Sequence, residues 1–347
     1  MPDYDAFLLQ SFGWPEGPDD VMPFLENVTR GRGVPRERLA EVAEHYYAFG
    51  GISPINQQCR DMLDAIRADF GATGLSLPVY WGNRNWQPYL ADTVRAMADD
   101  GIRAVIAFAT SAYSSYSSCR QYLDDIERAR EEVAATGREA PRIDKIRPYY
   151  SNDGFIGPFA RATREALASL PSDVRDDARL VFTAHSIPVA MASASGSVSQ
   201  ASGGTAQAGP GGRYEAELTH AAGLITERLD GPRPWELVFQ SRSGPPAQPW
   251  LEPDICDHIR ALAKDGAPAV VVVPVGFVTD HMEVMHDLDT EAAQVASSLG
   301  LAFARAATPG NSPEFASMIT SLVGEALDAT SGPGCPADCC RIRRAGS

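Results

Sequence analysis

Three groups of side chains have the types and spacing to do chemistry. The first is the histidine in "TAHSIP" (183–188), which follows an apolar run and precedes a proline. A neutral imidazole placed there can accept a proton or bind a metal. It can equally be a histidine hydrogen-bonded into a loop. The second is "VGFVTDHMEVMHDLDTEA" (275–292), where Glu283, Asp287 and Glu291 recur at i, i+4 and i+8. That spacing stacks three carboxylates on one helix face. A solvated acidic face has this pattern. So does a ladder of hard oxygen ligands that carries a divalent cation, and Met282, Met285 and Leu288 on the opposite side would fix where the acids point. The third is the tail "SGPGCPADCCRIRRAGS", which holds three of the chain's six cysteines, Cys335, Cys339 and Cys340. A zinc site, a vicinal disulfide, an iron–sulfur site and an inert tail all remain open. A closed four-thiolate site needs a fourth sulfur. Cys59 and Cys256 fall in helical stretches and read as core. Cys119, in "YSSYSSCRQY", is the better candidate.

These residues must be positioned by α/β elements. Apolar strand-like runs at 6–12, 77–82, 102–110, 178–184, 235–241 and 268–275 alternate with helical patterns, which implies parallel sheets. "RAMADDG" (95–101) is echoed by "RALAKDG" (260–266), each followed by a β-branched run. The echo predicts two copies of one α/β unit, residues 1–155 and 156–325, followed by a cysteine tail over 326–347. The stretch 189–212, rich in Gly, Ser and Ala, reads as a flexible loop. Ligands of doubly wound sheets bind at strand carboxyl ends, and both His185 and the start of the acidic ladder fall there.

Composition narrows the class. With 347 residues, 44% hydrophobic content and a net charge of −15, the chain reads as a globular protein. Its acidity argues against nucleic acid or an anionic bilayer as partner. No apolar run approaches the roughly 20 residues of a membrane span, and no signal-peptide pattern is visible, so stable membrane insertion is not expected and a cytoplasmic location is. There is no GxGxxG, P-loop, HExxH or GxSxG.

Taken together, "LLQSFGWPEGPDDV", "LENVTRGRG", "HYYAFGGISPIN", "TAHSIP", "QSRSGPPAQPWLEP" and "VPVGFVTDHMEVMHDLDTEA" resemble the ferrochelatase family, in particular the coproporphyrin ferrochelatases of Gram-positive bacteria. The resemblance implies two similar Rossmann-like domains with parallel sheets and the active-site cleft between them, and insertion of Fe²⁺ into coproporphyrin III with release of two protons, a step of haem biosynthesis. It implies that His185 and Glu283 are the catalytic and iron-contacting pair, facing each other across the macrocycle. Asp287 and Glu291 would be a metal relay on a π-helical stretch. Phe12, Arg30, Ser53 and Tyr122 would contact the substrate, with Tyr150 as a weaker candidate. A [2Fe–2S] cluster on Cys119, Cys335, Cys339 and Cys340 is implied by the same resemblance, as are a monomeric enzyme and a downstream haem-pathway enzyme that accepts the product. Phe12 and His45 depart from relatives that carry tyrosine and arginine there. The alternatives are insertion into protoporphyrin IX, a cobalt or nickel chelatase, and a non-catalytic haem or metal carrier with a redox-sensing cluster.

Overall fold

The computed structural model describes residues 3–31, 33–196, 211–244, 247–329, 335 and 339–341. Among them are two four-stranded sheets built from all-parallel pairs. The first contains β1 (Ala6–Ser11), β2 (Val79–Asn83), β3 (Ala104–Ala109) and β4 (Arg142–Lys145) in the order β2-β1-β3-β4. The second contains β5 (Arg179–His185), β6 (Trp235–Gln240), β7 (Ala269–Val273) and β8 (Ala302–Arg305) in the order β6-β5-β7-β8. The two orders are the same, so β1 and β5 fill equivalent slots. In each sheet the connection changes direction between that strand and its neighbour, β3 or β7, which opens a crevice at the carboxyl ends.

The helices are α1 (Pro18–Val28), α2 (Arg36–Tyr47), α3 (Ile55–Thr73), α4 (Leu90–Asp99), α5 (Gln121–Ala135), α6 (Asp153–Ser169), α7 (Val189–Ser193), α8 (Gly212–Thr226), α9 (Ile255–Lys264), α10 (Met282–Val284), α11 (Ala293–Ser298) and α12 (Pro313–Asp328). A π-helical turn (Tyr116–Arg120) precedes α5, and a π-helix (Met285–Ala292) joins α10 to α11.

Strand side chains alternate between two cores, as period-2 geometry requires. Ala6 and Leu8 face an outer core closed by Leu90, Val94 and Met97 of α4 and Ile126 of α5. Phe7 and Leu9 point the other way, into a central core that continues through Phe155 and Phe159 of α6 and Phe315 of α12 to Leu180 and Phe182 of β5. A second outer core, with Val181, Val270 and Val272 under α9, Leu288 and Ala296, covers the far face of the second sheet. The middle core is shared by both sheets. Hydrogen bonds also cross between them: Tyr113 Oη donates to the Val275 carbonyl at 2.8 Å, and the Asp280 amide donates to Gln58 Oε1 at 2.9 Å.

Two features differ from the sequence reading. Strands β4 and β8 are short edge strands, "RIDK" and "AFAR", whose apolar content is too thin to announce them. The expected loop 189–212 begins as α7, with Ala192 fully buried, and α8 already starts at Gly212. Pro188 starts this turn, and the Met191 and Ala192 amides both donate to its carbonyl. Residues 197–210 of that expectation lie outside the described residues. Helix α12 returns to pack on α3 and α6 and against β3, so the last helix among the described residues rests on the first sheet. No helix among the described residues is long and apolar enough to cross a membrane.

Candidate active site

The two crevices face each other and form one cleft of about 510 Å³, within the usual size range of ligand pockets. One wall comes from the first sheet: Phe12 after β1, Arg84 and Asn85 after β2, Thr110 and Ser111 after β3, and Tyr122 on α5. The other comes from the second sheet: His185 and Ser186 at the end of β5, Gly276–Thr279 after β7, then His281 and Glu283. Gly13 follows the first wall's turn at φ 76°, and a Cβ there would lie 2.6 Å from Asn83 Cβ. Gly276 lets the chain after β7 approach β5. A Cβ at that position would lie 2.7 Å from Ala184 Cα, and its amide donates to the Thr183 carbonyl at 3.1 Å.

His185 is oriented from both ends. Its Nδ1 lies 2.5 Å from the Ser186 carbonyl, an acceptor, so the proton sits on Nδ1 and Nε2 carries the lone pair. That carbonyl's residue is itself pinned: the Ser186 amide donates to the Gln240 carbonyl and its hydroxyl to the Leu251 carbonyl, both at 2.8 Å. Tyr214 Oη donates to the His185 carbonyl at 3.0 Å. His185 Nε2 then lies 3.7 Å from Glu283 Oε2. Burial raises the Glu283 carboxyl above its ordinary range; His185 opposes the shift and Asp287 adds to it.

The short separation corrects one expectation. A flat ring between the two groups would need a gap of about 7 Å, two carbon contact distances. His185 and Glu283 sit side by side on the second wall, so they address one face of anything in the cleft. The opposite wall presents Phe12. Trp14 packs behind Phe12 at 5.6 Å between ring centroids and stacks on His281 at 5.4 Å and 11°, tying the two walls together. Burial pushes His281 down to about 3, and the charge of His185 adds to that. Its Nδ1 is buried without a partner among the described residues.

The acidic ladder divides. Glu283 opens on the central cleft, while Asp287 and Glu291 line a neighbouring cleft of about 740 Å³ with His45 and His286. Asp287 accepts a hydrogen bond from Ser241 and a longer one, 3.4 Å, from Gln240. Ser241 holds a left-handed backbone, φ 60°, to reach it. His286 lies 3.3 Å from Asp287 and 3.9 Å from Glu291 and stacks on His45 at 4.7 Å. Ligand atoms of His286, Asp287 and Glu291 fall within 4.8 Å of one another, a set suited to a divalent cation. The π-helix spaces these groups, and such segments recur at functional sites. Met285 is only half-buried, whereas Met282, Val284 and Leu288 are buried, which shifts the expected apolar face by one position.

Of the remaining substrate candidates, Tyr122 lines the central cleft and is buried. Arg30, Ser53 and Tyr150 are not among its lining residues. Arg30 is exposed beside Thr29, which does line it. Ser53 is buried with an unpartnered hydroxyl. Tyr150 stacks on Tyr113 at 5.9 Å. Sequence reasoning missed Trp14 and Tyr214. Their only sequence signal is position just past a strand or at a helix start.

The four cysteines named from sequence converge. Cys119, on the π-helical turn, hydrogen-bonds Cys335, and that bond together with burial raises its thiol. Cys335 contacts Cys339, whose Sγ is 3.7 Å from Cys340 Sγ. Cys340 adopts φ 55° and exchanges two bonds with Gly196: its amide donates to the Gly196 carbonyl at 2.9 Å, and the Gly196 amide to its sulfur at 3.2 Å. Buried Lys145 neighbours both Cys119 and Cys335 and pairs with no carboxylate among the described residues. Two of the four sulfurs, Cys119 and Cys335, lie next to this cation, which suits a thiolate-ligated group because thiolates would balance the ammonium. Cys59 is core, hydrogen-bonded to Ser11 at 3.3 Å. Cys256 is partly buried: it packs against the second outer core and also lines the neighbouring cleft.

A fold of two parallel sheets with facing strand ends and an imidazole–carboxylate pair defines a chelatase-like architecture. SirB from Bacillus subtilis, solved with Fe³⁺, superposes with a TM-score of 0.55 over 93% of this chain and 95% of its own, at 14% identity. The Ferrochelatase family model matches residues 4–327. The chain therefore belongs to the ferrochelatase family. It is 51% identical to the coproporphyrin III ferrochelatase of Streptomyces griseus, over 98% of this chain and 94% of that one. It is 53% identical to the coproporphyrin III ferrochelatase of Mycolicibacterium smegmatis, over 93% and 90%.

Proposed function

We propose that the protein inserts Fe²⁺ into coproporphyrin III, a chelatase (lyase) reaction of haem biosynthesis. The observation that carries the reading is the oriented His185–Glu283 pair at the mouth of the facing strand ends, in a chain about half identical to coproporphyrin III ferrochelatases. The macrocycle lies between the two walls, with Phe12 on one face and the pair on the other. Metallation removes two pyrrole N–H protons and leaves the iron in the ring. His185 Nε2 takes a proton from a pyrrole nitrogen. Glu283, with its raised carboxyl, accepts it next, and Asp287 leads toward the neighbouring cleft. In the opposite direction Asp287 and Glu291, with His286, form a relay that brings the cation inward. Arg30, Ser53 and Tyr150 belong to the reading as rim contacts for propionates, and Tyr122 as a contact inside.

The reading includes a division into units 1–155 and 156–325, supported by the repeated sheet order. It also includes a [2Fe–2S] cluster on Cys119, Cys335, Cys339 and Cys340, supported by the sulfur contacts and by Lys145. When bound, such a group supplies one-electron chemistry and a covalent tie between the tail and the first half. A monomer in the cytoplasm that hands its product to a later haem-pathway enzyme completes the reading. The test is anaerobic incubation with Fe²⁺ and either coproporphyrin III or protoporphyrin IX, followed by absorption spectroscopy. Faster metallation of coproporphyrin III is expected. Failure to metallate either ring would sink the proposal, and a preference for protoporphyrin IX would reassign the substrate.

A further inference from the structure

We propose that Arg84 reads the substrate's side chains, its guanidinium donating to a propionate carboxylate at the Phe12–Tyr122 end of the central cleft. The inference rests on the function proposed above and adds a specificity residue to it.

Four observations carry it. Arg84 lines the cleft, yet its side chain is 8% exposed. Its Nε is committed to Asp125, and its guanidinium lies 4.2 Å over the Tyr122 ring and 5.8 Å from the Phe12 ring, so it cannot swing out to solvent. Its Nη2 is buried with no partner among the described residues. Asp125, itself 3% exposed, also accepts from Arg128, so one carboxylate faces two guanidiniums and the local charge is positive. A buried, fixed donor of that kind is complementary to an anionic oxygen. The core of a metal-free tetrapyrrole has no such oxygen, and its propionates do. Coproporphyrin III carries four propionates where protoporphyrin IX carries two, so a donor inside the cleft distinguishes the two rings. A site built to hydrogen-bond a group rejects the analogue that lacks it, because its own donor is then left unpaired.

The test is a fluorescence titration of metal-free coproporphyrin III and protoporphyrin IX into wild type, Arg84→Gln and Arg84→Lys. Arg84→Gln should weaken coproporphyrin III binding about 10- to 100-fold and protoporphyrin IX by less than about threefold. Arg84→Lys keeps a cation beside Asp125 but loses the guanidinium fork. It should show the same selective loss, which separates recognition from folding. Equal losses for both rings, or no loss for coproporphyrin III, would overturn the inference while leaving the functional reading intact. A wild type that binds neither ring would overturn that reading and this inference with it.

Discussion

His185 works as a base because its other nitrogen is already spent. With Nδ1–H held by the Ser186 carbonyl and the backbone carbonyl of His185 held by Tyr214, the ring presents Nε2 to the cleft in one tautomer. Replacing it with alanine should lower iron insertion by a factor of about 10² or more while porphyrin still binds, since a positioned base typically contributes that much. A rate comparison at saturating porphyrin checks this. Glu283→Gln keeps the shape and removes the acceptor. Proton transfer away from His185 then stalls, and kcat should fall with little change in KM. Tyr214→Phe tests the support rather than the chemistry. Losing its hydrogen bond to the His185 carbonyl should cost about 1 kcal/mol of stability in denaturant unfolding, with a smaller loss of rate.

At the scale of elements, strands β5 and β7 and the π-helix decide where the pair sits. Gly276 is a tight junction between β7 and β5. A side chain there would overlap Ala184 at the end of β5, so Gly276→Val should destabilise the fold by roughly 1–3 kcal/mol and displace His185. Helix α9 carries a separate pH dependence. Burial lowers the His258 imidazole below its ordinary value, against the pull of Glu236 and with help from Arg179. The unfolded chain binds that proton more readily than the folded one. Stability therefore falls as pH drops from the ordinary histidine range toward the folded value, and His258→Leu should flatten that limb in pH-dependent melting. Much of this layer was legible in the amino-acid sequence. "AFLLQS", "AVIAFA" and "AVVVV" are apolar runs buried on both faces, and such runs can hardly be read otherwise. Edge strands "RIDK" and "AFAR" were not, because an edge needs charge and little apolar content. In the site, His185 and the acids were legible from strand ends and helical spacing. Their side-by-side placement was not, nor was Trp14, because both depend on how two sheets face each other.

Across the whole molecule the central core unites both sheets, so the cleft's width is set by packing rather than by a hinge of loose contacts. Phe155 of α6, fully buried against Phe315 of α12, should cost about 3–5 kcal/mol on truncation to alanine and lower the melting temperature of both halves together. The tail is tied into the same unit: Cys339 and Cys340 sit against Cys119 through Cys335, and Cys340 grips Gly196 just beyond α7. Cys119→Ser or Cys340→Ser should remove absorption between roughly 300 and 600 nm from protein purified without added metal and lower its melting temperature. A wild type that is colourless would remove the cluster from the account but leave the cleft chemistry standing. That chemistry is tested most directly by counting protons. In weakly buffered anaerobic solution containing coproporphyrin III and Fe²⁺, the wild type should release two protons for each iron inserted, and His185→Ala should bind the porphyrin with both release and insertion slowed by a factor of about 10² or more. Undiminished insertion and proton release by His185→Ala would contradict the account.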